Sequence, residues 1–164
     1  MLKEKKELEG SIVVITGAFG GIGTATYKLF KKYGAEVILI DNNKKKVDEM
    51  SKKLDDLCIC CDVTNKESVK RAFNLISSQY GGVDILISNA GTATGGSIAE
   101  VSDKILRKSF EDNFFSHQYC ASEATRIMKL QNNEGCLLFN ISKQSVNPGK
   151  DFGPYGLPKS ALLN

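Results

Sequence analysis

Histidine, proline and long apolar runs are scarce in this chain, and each shortage removes a class of protein. One histidine among 164 residues leaves too few imidazoles for a zinc site. The five cysteines do not make up for it. Cys58-Ile59-Cys60-Cys61 departs from C-x-x-C spacing and lies in an apolar stretch, where cysteine behaves as a small hydrophobe. His117 is also the single candidate for a Ser-His-Asp triad, and no Gly-x-Ser-x-Gly elbow occurs, which disfavours a hydrolase. No stretch approaches the roughly 20 apolar residues of a membrane span. Met1-Leu2-Lys3-Glu4-Lys5-Lys6-Glu7 lacks the apolar core of a signal peptide, so a cytoplasmic protein with free thiols and no membrane partner is expected. No Pro/Gly linker or internal repeat divides the chain, and its length suits a single domain over 1–164. A net charge of +3 is too small to imply nucleic acid. Lys44-Lys45-Lys46 and Lys52-Lys53 read as a solvated helix face without the interleaved aromatics that stack bases.

What is present is an alternation of two patterns. Apolar runs at 12–15, 37–40, 57–61, 85–87 and 136–141 predict strands. Helical spacing over 24–33, 44–54, 67–80 and 102–130 predicts helices between them. Continuous rather than alternating apolar runs suit strands buried on both faces. The expected fold is therefore α/β: a doubly wound, Rossmann-like parallel sheet of about five strands with helices on both faces.

Such sheets bind ligands at the carboxyl ends of their strands. After the first run comes Thr16-Gly17-Ala18-Phe19-Gly20-Gly21-Ile22-Gly23, a strand–glycine turn–helix junction. Residues without Cβ let backbone N–H groups approach a pyrophosphate, and the helix N-terminus adds its positive end. The spacing Gly17-x-x-x-Gly21-x-Gly23 matches the commoner G-x-G-x-x-G only in part, and no Gly-Lys-Ser/Thr makes it a P-loop. A tight turn that binds nothing is the bland alternative. Asp41, 18 residues beyond Gly23, ends the second run, where a carboxylate can accept from a ribose and repel a 2′-phosphate. As the turn carries no Arg or Lys, NAD is expected rather than NADP. Asp62-Val63-Thr64 follows the third run, where a polar side chain caps the next helix and Asp62 is an adenine-contact candidate. Ser88-Asn89-Ala90-Gly91 follows the fourth and Asn140-Ile141-Ser142 the fifth.

Together these residues resemble the short-chain dehydrogenase/reductase family. The glycine turn is similar to its cofactor loop (Gly17, Phe19, Gly21, Ile22 and Gly23), and Asn89-Ala90-Gly91 to its strand-four motif. Tyr155-x-x-x-Lys159, with Ser142 thirteen residues upstream and Asn113 on the long helix, resembles its catalytic set. The resemblance implies hydride exchange between a nicotinamide and a small alcohol or carbonyl compound. Tyr155 would move the proton, Ser142 bind the reacting oxygen, Lys159 hold the nicotinamide ribose and Asn113 support a relay water. The cofactor-binding set is completed by Asp41, Asp62 and Val63. An ammonium one helical turn away favours a phenolate, which suits Tyr155 to this role. Residues 140–159 further resemble the dehydrogenase half of bacterial aldolase–dehydrogenase fusions, which implies a hydroxy-aldehyde or sugar-derived substrate. Self-association through the long helix and the Tyr155 helix is likewise implied.

Two departures stand out. Ser88 replaces an Asn of the family pattern, and the sequence stops five residues after Lys159, where relatives continue with two more strands and a substrate loop. The expectation is a truncated member lacking those strands. Its alternative to catalysis is a fragment that at most binds nucleotide. His117 is expected to be a packing or surface residue.

Overall fold

The apolar run after Ser11 forms strand β1 (Ile12–Thr16), and the glycine turn leads directly into helix α1 (Gly21–Lys32). The pattern repeats through β2 (Glu36–Asp41), α2 (Lys44–Met50), β3 (Cys58–Cys60), α3 (Lys66–Tyr80) and β4 (Ile85–Ser88). Then come α4 (Asp103–Phe110), a π-helical turn (Glu111–Phe115), α5 (Ser116–Leu130), β5 (Cys136–Phe139), a short 3-10 turn (Lys143–Ser145) and α6 (Gly153–Leu163). This computed structural model describes residues 7–164. The five strands form one parallel sheet in the order β3-β2-β1-β4-β5. The chain reverses direction across the sheet at β1, so a crevice opens between the ends of β1 and β4.

Strand side chains alternate between faces, and both faces are covered. Val14, Ile38, Ile40 and Leu86 pack with Phe73 and Ile76 of α3 and with Ala124 and Ile127 of α5. Val13, Ile15, Val37 and Leu39 pack on the other face with Tyr27 and Phe30 of α1. Each such fully buried side chain contributes about 1.5–3 kcal/mol, so the central strands anchor everything at their ends. The edge strand β5 differs: Leu137 and Leu138 are 36% and 49% exposed. Among the described residues no helix is long and apolar enough to cross a membrane.

Helix α1 starts at Gly21 rather than at residue 24 and β3 is confined to Cys58–Cys60, and three further elements differ from the sequence pattern. The helix expected over 44–54 stops at Met50 and ends in turns, with Lys53 N–H on the Met50 carbonyl, three residues back. β5 ends at Phe139 rather than at Ile141, where pairing with β4 stops. The long helix expected over 102–130 is interrupted. At the π turn, Ser116 N–H donates to the Glu111 carbonyl, five residues back, and the Ser116 hydroxyl donates to the Asp112 carbonyl at 2.8 Å. One extra residue is thereby accommodated without breaking the helix.

Candidate functional site

At the end of β1 the turn is shaped by two glycines that no other residue replaces. Gly17 has φ +62°, and a Cβ there would lie 2.9 Å from Ala90 Cα. A Cβ on Gly23 would collide with the Gly17 carbonyl and come within 2.7 Å of Ala18 Cα. Gly23 therefore lets α1 pack on the turn and does not line the cavity at the strand ends. Gly21 behaves oppositely: it lines that cavity, and a Cβ there would meet nothing within 4 Å. Helices α2, α3 and α4 are capped by Asn43, Asn65 and Ser102, whereas α1 has Gly20 at its cap, no side-chain cap bond and no acidic residue in its first turn. Unclaimed N–H donors and a positive dipole end suit an anion such as a pyrophosphate. The cradle fits the dinucleotide that the sequence pattern implies.

Asp41 pins this turn. Its Oδ2 accepts from Phe19 N–H and its Oδ1 from Asn43 N–H, both at 3.0 Å. Lys46, exposed as a solvated face requires, also reaches over the turn to the Phe19 carbonyl at 3.2 Å and lines the cavity. A cation thus stands at the Asp41 end, which the turn sequence alone did not reveal. Asp62 and Val63 line the same space. The Asp62 carboxylate accepts from Thr64 N–H at 2.9 Å and the Thr64 hydroxyl at 2.7 Å, and Asn65 is the cap of α3.

The strand ends are tied together by side chains. Thr16 Oγ1, 1% exposed, accepts from Asn89 N–H and Ala90 N–H at 2.9 and 3.1 Å. Asn89 Nδ2 donates to the carbonyls of Thr16 and Gly17, and Asn140 Nδ2 donates to Asn89 Oδ1 at 2.8 Å. This lattice forms the floor of one cavity of about 570 Å³. The cavity runs from the glycine turn, Asp41, Asp62 and Val63, past Asn89, Ala90 and Gly91, to Tyr155 and Lys159. Lys108 and Asp112, a paired couple on the interrupted helix, also line it; no sequence pattern marked them.

Helix α6 opens with Pro154 in its first turn and carries Tyr155 half-buried and Lys159 buried. Lys159 Nζ donates to the Asn140 carbonyl at 2.9 Å and lies 3.2 Å from His117 Nε2. His117 Nδ1 lies 2.7 Å from Ser88 Oγ. His117 is 1% exposed, so the surface role considered for it is corrected: it packs directly behind Lys159. Burial, and secondarily the charge of Lys159, pushes its imidazole down to about 3. Burial likewise pushes the Lys159 ammonium down to about 8. Helical spacing from Asn113 was the one sequence clue, since His117 is four residues further along the same face.

Asn113 and Ser142 sit beside the cavity rather than in its wall. Asn113 is fully buried; its Oδ1 accepts from Thr92 N–H and its Nδ2 donates to the carbonyls of Thr92 and Ser109. It also braces Gly91, where a Cβ would lie 2.8 Å from Asn113 Oδ1. Ser142 caps the 3-10 turn, accepting from Gln144 N–H at 3.2 Å. Among the described residues no three His, Cys, Asp or Glu side chains gather as metal ligands would.

The sequence and the fold both have counterparts among known proteins. The chain belongs to the short chain dehydrogenase family, whose model matches residues 11–164. It is 36% identical over 147 residues to the short chain aldehyde dehydrogenase 1 of Euphorbia lathyris, covering 86% of this chain and 51% of that one. The chain thus spans about half the length of that curated relative. It superposes on the crystal structure of the NADPH-dependent 3-quinuclidinone reductase from Rhodotorula rubra with a TM-score of 0.83 at 30% identity, covering 95% of this chain and 62% of that one. An NAD+-bound xylitol dehydrogenase shares the fold at a TM-score of 0.89 and 24% identity, over 96% of this chain and 63% of that one. The family binds NAD or NADP, and both cofactors occur among these neighbours.

Proposed function

We propose that this chain carries the cofactor site and the proton-transfer pair of an NAD-dependent oxidoreductase acting on a small alcohol or carbonyl compound. The observation that supports it most is a single cavity reaching from an uncapped helix N-terminus to Tyr155 and Lys159. In this reading the first-turn N–H groups of α1 and the open face of Gly21 take the pyrophosphate, and Asp41 takes the adenosine ribose. A nicotinamide dinucleotide, when bound, supplies the hydride chemistry. The Tyr155 hydroxyl passes a proton to or from the substrate oxygen. Lys159, one helical turn from Tyr155, lines the same cavity with its ammonium. Asn113 braces the Gly91 wall, and Ser142, whose capping bond uses only its acceptor oxygen, donates its hydroxyl proton in a hydrogen bond to the reacting oxygen.

The likeness of residues 140–159 to aldolase-fused dehydrogenases directs the first substrate panel to small polyols and hydroxy-aldehydes. The test is nucleotide binding by calorimetry, followed by turnover on that panel. Tyr155→Phe is expected to abolish turnover while nucleotide binding is retained; equal activity in the variant would refute the role of Tyr155. NADP bound more tightly than NAD would reverse the cofactor preference and assign Lys46 to the 2′-phosphate. A second reading, nucleotide binding without turnover, is favoured by Ser142 lying beside the cavity rather than in its wall. Nucleotide affinity with no turnover of any panel member would select it.

A further inference from the structure

The three side chains Ser88, His117 and Lys159 come from β4, α5 and α6 and are 2%, 1% and 3% exposed. They form a chain of contacts, Ser88 Oγ to His117 Nδ1 at 2.7 Å and His117 Nε2 to Lys159 Nζ at 3.2 Å. An ammonium has only donors, so the ring nitrogen facing it must be the acceptor. The imidazole proton is then on Nδ1, pointing at Ser88 Oγ. A protonated imidazole would set two donors and two positive charges against each other, so the ring is held neutral. The other groups around it are uncharged: the Phe139 ring of β5 stands 6.2 Å away, and Asn113, Ser116 and Cys120 flank it on its own helix. Lys159 is the one charge acting on it among the described residues.

The line of contacts ends at Ser88, deep at the end of β4, so it offers Lys159 no route to solvent for a proton. What it offers is a fixed acceptor. Of three ammonium N–H groups, one goes to the Asn140 carbonyl and one to His117, which leaves one for a ligand in the cavity. We infer that His117 is a positioning residue: as a neutral Nδ1–H imidazole anchored on Ser88, it holds the Lys159 ammonium so that one donor faces the cavity. This rests on reading Lys159 as part of an oxidoreductase site, but the pairing itself can be measured without turnover.

Because the chain has one histidine, long-range 1H–15N correlation spectra of the histidine-labelled protein give a single imidazole signal set. The expected result is a protonated Nδ1 and an unprotonated Nε2. That state should persist as the pH falls through about 6.5, where an exposed imidazole titrates. An Nε2–H tautomer, or titration at the ordinary value, overturns the inference. Activity then separates positioning from packing. His117→Gln carries an amide oxygen to about the reach of Nε2, whereas His117→Asn reaches only to Nδ1 and His117→Phe offers no acceptor. Loss of kcat by about ten- to a hundredfold in the Asn and Phe variants, with recovery to within about threefold in the Gln variant, is the expected pattern for a misplaced catalytic group. Equal losses in all three, with equal melting temperatures, reduce His117 to packing. Absence of turnover in the wild type would refute the proposed function, while the tautomer measurement would still decide the pairing.

Discussion

At the glycine-turn end the cavity wall is largely main chain: N–H groups of α1, the Gly17 turn and the backbone that Asp41 pins. At the Lys159 end it rests on side chains drawn from β4, the interrupted helix and α6, with the Asn140 carbonyl just after β5, linked by contacts between residues 29, 42 and 19 positions apart. Main-chain sites depend on conformation, so they fail when a residue cannot adopt the required dihedral angles or clear its neighbours. Side-chain sites depend on chemistry and on the packing that aims it. The two ends are therefore expected to fail differently under substitution.

The largest separation is expected from Tyr155→Phe, which removes one oxygen from the side-chain end. Steady-state assays should show turnover reduced by about a thousandfold or more, with nucleotide affinity within about twofold since the main-chain end is intact. Next comes the acid side of the stability curve. His117 is neutral in the fold and titrates at about 3 there, against about 6.5 in the unfolded chain. Across that window the unfolded state binds the extra proton, so stability is lost as pH falls. Urea melts of the wild type and His117→Phe at successive pH values should therefore show the wild type losing more stability than the variant as the solution is acidified.

Gly17→Ala attacks the main-chain end through folding. A left-handed φ and a Cβ against Ala90 should cost about 2 kcal/mol of stability in denaturant titrations. Gly21→Ala sharpens the contrast, because its Cβ meets only open cavity. Stability should hold or rise by a few tenths of a kcal/mol, while nucleotide affinity drops about tenfold through loss of close backbone approach. Smallest is Asn65→Ala, which uncaps α3 away from the turn. About 1 kcal/mol of stability should go, and nucleotide affinity should not change.

The same contrast explains what could be read in advance. Gly17, Gly21 and Asp41 lie in short local patterns whose geometry follows from absent Cβ atoms and from strand ends, so they were legible. The continuous apolar runs located the parallel sheet, since strands buried on both faces need no polar side. The reach of Lys46 was not legible because a lysine run on an exposed helix carries no sign of which member folds back over a neighbouring turn. Ser88 with His117 was invisible, since a serine replacing an asparagine gains meaning only beside an imidazole 29 residues away. The π turn escaped because Glu111–Phe115 contains no proline or glycine to mark a break in the helix. β5 reads like its buried neighbours, yet Leu137 and Leu138 are exposed.

That inserted residue also acts as a phase setting. Asn113 lies within the wide turn and His117 just beyond it, and each residue added or removed rotates the remainder of the helix by about 100° around its axis. Shortening the turn by one residue would keep both side chains in the protein and still swing one of the pair away from the sheet. The bracing of Gly91 and the acceptor behind Lys159 are thus synchronised by a count rather than by any contact between them.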